Sequence, residues 1–172
     1  MKGLQNIILI GFMGTGKSTV GRRLAMALNW EFIDTDLAIE RETGITVSDI
    51  FRRYGESRFR TEESLVVKKL SSSQHCVIST GGGTVSNAEN YEILLKSGLV
   101  ICLSASLETI LQRVGVETSD RPLLKKSPAE IEELWHSRQT IYARAHYTVD
   151  TTNQGAEEVV NEILRLLEEG VQ

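Results

Sequence analysis

Proline, cysteine, histidine and long apolar runs are all scarce in this chain. There are two prolines in 172 residues. No Pro/Gly/Ser-rich stretch, low-complexity segment or internal repeat marks an interdomain linker. A chain of this length suits one domain with a proper core, so residues 1–172 are read as a single unit. The two cysteines, Cys76 and Cys102, both sit in apolar runs. They are expected to be buried free thiols on strands rather than a disulfide or a metal pair. The three histidines, His75, His136 and His146, lack metal-ligand spacing. The first apolar run is too short for a membrane span and does not read as a signal peptide. No membrane partner is expected, and the cytoplasm is the expected address. Positive charge is not in excess either. The net charge of −4 removes any general attraction to nucleic acid or anionic lipid. Anion affinity must therefore come from local clusters.

One such cluster stands near the amino end. Gly11-Phe-Met-Gly-Thr-Gly16-Lys17-Ser18 matches G-x-x-x-x-G-K-[ST], the phosphate-binding loop of nucleotide hydrolases and kinases. A β-branched run, Asn6-Ile-Ile-Leu-Ile10, precedes it, and Thr19–Leu28 follows with helical periodicity. Strand, glycine loop and helix together turn backbone N–H groups and the positive end of a helix dipole toward a polyphosphate. Gly11, Gly14 and Gly16 allow the close curl. Lys17 is placed to reach the β- and γ-phosphates, and the Ser18 hydroxyl to ligate Mg2+.

Four further short strands are expected near Glu31–Asp34, Cys76–Thr80, Leu99–Leu103 and Tyr147–Asp150. Helical patterns lie between them. Leu37 to about Tyr54 reads as two short helices broken at Gly44, with Thr46 or Ser48 near the second start. Helices are also expected at about Glu56–Ser71, Asn87–Lys96, Leu107–Val114, Ala129–Arg144 and Ala156–Glu168. Ser127-Pro128 suits a helix cap and first turn. Alternating strands and helices imply an α/β fold: a three-layer α/β/α sandwich around a five-stranded parallel sheet. Its active site is expected at the carboxyl ends of the strands.

Chemistry is therefore sought just after each strand. After the second strand stands Asp34-Thr35-Asp36. Asp34 is placed to hold Mg2+ directly or through water. Asp36 is placed either to accept hydrogen bonds from hydroxyls of a second substrate or merely to cap the next helix. After the third strand comes Thr80-Gly81-Gly82-Gly83-Thr84, a backbone suited to close approach and N–H donation. Many phosphate-loop proteins carry an aspartate there, and its lack here favours Asp34 beside the metal. Arg60 and Glu63 share a helix face. They form either a surface ion pair of little worth or a carboxylate-oriented guanidinium for bidentate capture of an anion. Arg121-Pro122-Leu123-Leu124 closes a polar segment that reads as a mobile lid, about 114–125, able to bring Arg121 over a transferring phosphate. Arg113 suits either a nucleotide base or a helix C-terminus. Trp135 and Tyr142, flanking Arg138, read as packing residues.

These motifs, in this order and across almost the whole chain, resemble the shikimate kinases, a family of nucleoside-monophosphate-kinase-like phosphate-loop proteins. The matching stretches are Gly11–Ser18, Phe32-Ile-Asp34-Thr-Asp36, Ile50-Phe51 with Gly55-Glu56 and Phe59-Arg60-x-x-Glu63, Ser79-Thr-Gly-Gly-Gly83, Arg121-Pro-Leu-Leu124 and Arg138-x-x-x-Tyr142. The resemblance implies transfer of the γ-phosphate of ATP to the 3-hydroxyl of shikimate, in the route to chorismate and the aromatic amino acids. It assigns catalytic roles to Lys17, Asp36 and Arg121. It assigns ATP to Gly14, Thr15, Gly16, Lys17, Ser18, Thr19, Arg113, Arg121, Asn153 and Gln154. Shikimate goes to Asp36, Arg60, Gly81, Gly82, Gly83 and Arg138, with acceptor-binding helices over about 35–63. Mg2+ goes to Ser18 and Asp34. The loop Thr151-Thr-Asn153-Gln154 lacks the proline the family often has there.

Two rivals frame that expectation. A gluconate-type or nucleotide kinase would use the same fold, but the glycine triplet and paired arginines favour a carboxylic acid over a base. A nucleotide-gated switch would carry D-x-x-G and N-K-x-D, and neither pattern occurs. A small kinase of this type is expected to work as a monomer.

Overall fold

The structure, a computed structural model, describes residues 5–116 and 127–169. Its centre is a five-stranded parallel sheet in the order β2-β3-β1-β4-β5. The strands are β1 (Asn6–Ile10), β2 (Glu31–Asp34), β3 (Cys76–Ser79), β4 (Leu99–Ser104) and β5 (Tyr147–Asp150). The helices are α1 (Lys17–Leu28), α2 (Thr35–Thr43), α3 (Val47–Leu70), α4 (Ala88–Ser97), α5 (Leu107–Val116), α6 (Pro128–Tyr142) and α7 (Ala156–Glu169).

Strand periodicity of two divides the core between the two sheet faces. Ile7 and Leu9 of β1 pack with Val77, Ile101, Leu103 and Val149 under α1 and α7. Ile8 and Ile10 face the other way, with Ile78, Val100 and Cys102, toward α3, α4, α5 and α6. All five β1 residues are buried, as a parallel strand covered on both faces requires. Cys76 and Cys102 are buried free thiols on β3 and β4, as expected.

The expected elements match closely, with two local differences, at Gly55 and after β3. The break falls at Gly44 as expected, where α2 closes in a left-handed conformation, and of the two candidates Thr46 caps α3 by accepting from Asp49 N–H. The start at Glu56 corresponds to a kink within α3, where Gly55 has φ 80° and ψ 176°. The glycine stretch after β3 runs into a short 3-10 helix at Thr84–Ser86, which the sequence pattern did not mark. Ser127, Pro128 and Glu130 form the expected start of α6 as a full capping box. Among the described residues, no helix is long and apolar enough to cross a membrane.

Candidate active site

The loop between β1 and α1 depends on glycine at two points. Gly11 has φ 138°, and a methyl group on it would lie 2.2 Å from the Leu103 carbonyl oxygen, so β1 and β4 meet there without room for a side chain. Gly16 caps α1 with φ 89° and contributes no side-chain cap, which leaves the first-turn N–H groups of α1 directed at an incoming anion. Inside the loop, Thr15 Oγ1 and Lys17 Nζ each donate to Phe12 O at 2.8 Å. Lys17 is 9% exposed, so its charge is held close to the loop it serves.

Ser18 and Asp34 meet as expected. Ser18 Oγ donates to Asp34 Oδ2 at 2.9 Å and lies 3.4 Å from Ser79 Oγ. The other Asp34 oxygen caps α2, accepting from Asp36 N–H at 3.0 Å and Leu37 N–H at 3.4 Å. The capping duty thus falls on Asp34, and the Asp36 side chain turns toward the glycine triplet. Oxygen donors on one short edge suit a hard cation that keeps phosphate and water ligands, as Mg2+ does. Among the described residues no cluster of three or more acidic, histidine or cysteine side chains forms a closed metal cage.

The triplet is where Asp36, Arg138 and Arg60, the side chains expected to hold the acceptor, come together. A methyl group on Gly81 would stand 3.1 Å from Asp36 Oδ1, one on Gly82 3.4 Å from an Arg138 terminal nitrogen, and one on Gly83 2.8 Å from both Arg60 terminal nitrogens. Each glycine thus admits one functional side chain. Gly81 N–H is fixed by donation to Thr35 Oγ1 at 3.0 Å. Gly82 O accepts from an Arg138 terminal nitrogen at 2.9 Å and from Tyr142 OH at 2.7 Å. Arg138 also lies 5.6 Å from the centre of the Phe12 ring, which ties the glycine triplet to the loop between β1 and α1. Burial pushes the Tyr142 hydroxyl up to about 12, so it stays a donor.

Arg60 and Glu63 form more than a surface pair. Arg60 donates to Glu63 Oε2 at 2.9 Å and, through Nε and its second terminal nitrogen, to Glu56 Oε1 at 3.2 and 3.0 Å. Glu63 is 1% exposed, whereas Glu56 is 66% exposed. Burial works against the Arg60 charge, but Glu63 and then Glu56 more than offset it, and its pKa is raised.

Arg113 does not cap its own helix. It donates to Gly14 O at 3.2 Å, to Thr151 Oγ1 at 3.0 Å and to Thr151 O at 2.6 Å, joining the phosphate loop to the exit of β5. Gln154 donates to Asp150 O and to Glu162, while its neighbour Asn153 is exposed.

A cleft of about 1160 Å3 runs over the carboxyl ends of the strands. Gly14, Thr15, Gly16, Lys17, Ser18 and Thr19 line it together with Asp34, Asp36, Gly81, Gly82, Arg113, Arg138 and Gln154. Arg60 and Gly83 stand against each other beside that lining. Arg121 and most of the expected lid lie outside the described residues. Sequence reasoning missed Thr35 and Thr84, named Thr151 only as part of the loop before α7, and read Tyr142 as a packing residue. Their hydrogen bonds join residues far apart in sequence, and no local pattern carries them.

The family model described as shikimate kinase matches residues 13–168. A shikimate kinase of Pelotomaculum thermopropionicum is 47% identical over 168 residues, covering 96% of this chain and 97% of that protein. Among solved structures, shikimate kinase from Acinetobacter baumannii in complex with shikimate superposes with a TM-score of 0.92 at 42% identity, covering 98% of this chain and 96% of that one. Shikimate kinase from Aquifex aeolicus gives 0.86 at 39% identity, covering 96% and 98%.

Proposed function

This chain belongs to the shikimate kinase family and is an ATP-dependent kinase acting on shikimate, and from that premise we propose how its residues divide the work. The acceptor is held by the glycine triplet and its three attendants. Arg60 and Arg138 take the shikimate carboxylate, Asp36 takes ring hydroxyls and accepts the proton of the 3-hydroxyl, and Gly82 and Gly83 donate backbone N–H groups, the Gly81 N–H being held by Thr35 Oγ1. The single observation that carries this reading is the seating of Asp36, Arg138 and Arg60 against Gly81, Gly82 and Gly83 in turn.

On the donor side, Gly14–Thr19 cradle the phosphates of ATP and Lys17 neutralises charge on the β- and γ-phosphates. Phosphoryl transfer asks mainly for alignment and charge stabilisation. Arg138 spans the two sides through Phe12, so the acceptor is referenced to the same loop that holds the donor. Glu56 is exposed and exchangeable for solvent or substrate, while buried Glu63 keeps Arg60 in place. Ser18 and Asp34 are the residues that would hold Mg2+, supported by their mutual contact and the all-oxygen edge with Ser79. When bound there, Mg2+ neutralises phosphate charge and orients the terminal phosphoryl group. Arg113 and Gln154 border the nucleotide end. Arg121, in the stretch 114–125 proposed as a lid, is assigned to the transferring phosphate from its Arg121-Pro-Leu-Leu124 motif.

We read residues 1–172 as one kinase domain working as a cytoplasmic monomer. The test of the reaction is ADP release measured by a coupled assay against shikimate, gluconate and quinate. Shikimate is expected to be the strongly preferred acceptor. Preference for gluconate would move the protein to a different acceptor class.

A further inference from the structure

We propose that Thr84 is a positioning residue for the acceptor, holding Glu63 and, through Glu63, setting the orientation in which Arg60 receives the substrate carboxylate. This rests on the reading of Arg60 given above. Thr84 is fully buried, and its Oγ1 donates to Glu63 Oε1 at 2.6 Å. The second oxygen of the same carboxylate accepts from Arg60 at 2.9 Å. A carboxylate that is 1% exposed needs both oxygens engaged, and the Thr84 hydroxyl engages one of them.

The placement of Thr84 is itself fixed. Its N–H donates to Gly81 O at 3.1 Å, which opens the 3-10 turn directly after Gly83. Arg60 therefore meets one turn at two points: its guanidinium lies against Gly83, and its edge is tied through Glu63 to Thr84. Glu56 draws on Arg60 from the opposite, solvent-facing side. The Thr84 hydroxyl anchors the buried partner against that pull, and it belongs to the segment that carries the acceptor's backbone donors. A side chain that only filled space would be replaced by valine at no cost to the acceptor.

Steady-state kinetics of Thr84→Val, Thr84→Ser, Arg60→Ala and the Arg60→Ala/Thr84→Val double variant test this. Thr84→Val is expected to raise KM for shikimate about 10-fold, the scale of one hydrogen bond to a charged group, with KM for ATP essentially unchanged. Thr84→Ser restores the shikimate KM. In the Arg60→Ala background, Thr84→Val adds nothing further, because the group it acts through is gone. A silent Thr84→Val, a parallel rise in KM for ATP, failure of serine to rescue, or an additive double variant each overturns the role of Thr84. If valine gives no folded protein, Thr84→Ala carries the same comparison. An Arg60→Ala variant with unchanged shikimate KM instead overturns the reading of Arg60, and the role of Thr84 falls with it. Loss in Arg60→Ala beside a silent Thr84→Val removes the role of Thr84 alone.

Discussion

Lys17 and Arg60 are the residues proposed for the donor and acceptor halves of the site, and each is held in place by hydrogen bonds. Lys17 is packed against the loop through Phe12 O, and under the proposed donor role Lys17→Ala removes the main cation facing the terminal phosphates. Turnover in a coupled assay is expected to disappear, and full activity would refute the donor assignment. Arg60→Ala is expected to weaken shikimate binding by about 2–5 kcal/mol, since it also leaves Glu63 buried without its cation. Calorimetric titration with each ligand separately should find ATP affinity nearly intact. Equal loss for both ligands would contradict the role. Gly83 offers a finer probe. Its backbone, φ −102° and ψ −6°, accepts alanine, yet the new methyl would stand 2.8 Å from the Arg60 guanidinium. Gly83→Ala should therefore displace Arg60 and raise KM for shikimate while sparing KM for ATP. A rise in both would point to general damage instead.

At the scale of elements, much was legible because the strands are short, β-branched and buried on both faces, and because punctuation residues mark the helix ends. Ser127-Pro128 and Thr46 cap where their chemistry says they should. Asp34-Thr35-Asp36 was legible only in part. The sequence leaves open which carboxylate caps α2, and the structure gives that duty to Asp34, which also receives Ser18. Arg113 was ambiguous for a different reason. Its partners Gly14 and Thr151 come from distant elements, so only tertiary packing decides between base, helix end and bridge. The close seat of α1 on the sheet was not legible either. It depends on Gly21, where a methyl group would lie 2.6 Å from the Phe32 ring and 3.2 Å from Leu9. Alanine gains about 1 kcal/mol of helix propensity over glycine. Overpacking a tight contact costs about 1–3 kcal/mol. A lower urea midpoint is expected for Gly21→Ala, and a raised midpoint would show that α1 has room to spare.

For the molecule as a whole, the core beneath the cleft makes alkaline stability a readout of burial. Burial pushes the Cys102 thiol up to about 11 from 9.0, partly opposed by Lys17. It pushes the Tyr142 hydroxyl up to about 12 from 10.0, partly opposed by Arg138. In both cases the folded state holds its proton more tightly than the unfolded chain. The associated stability is complete below pH 9.0 for Cys102 and below pH 10.0 for Tyr142, and it is lost as pH rises through about 11 and about 12. Denaturant midpoints should fall across that window, and Cys102→Ala should flatten the lower part of the fall. An unchanged slope in Cys102→Ala would contradict the burial of that thiol.

The whole cleft has one geometric requirement: the hydroxyl that accepts phosphate must stand beside the terminal phosphorus while the acid is gripped from the glycine triplet. A crystal structure of the protein with shikimate and a non-hydrolysable ATP analogue tests it most directly. The shikimate carboxylate should lie between Arg60 and Arg138, with its 3-hydroxyl facing Asp36 and in line with the γ-phosphorus. A carboxylate bound away from both arginines, or a 3-hydroxyl turned from the γ-phosphorus, would contradict it.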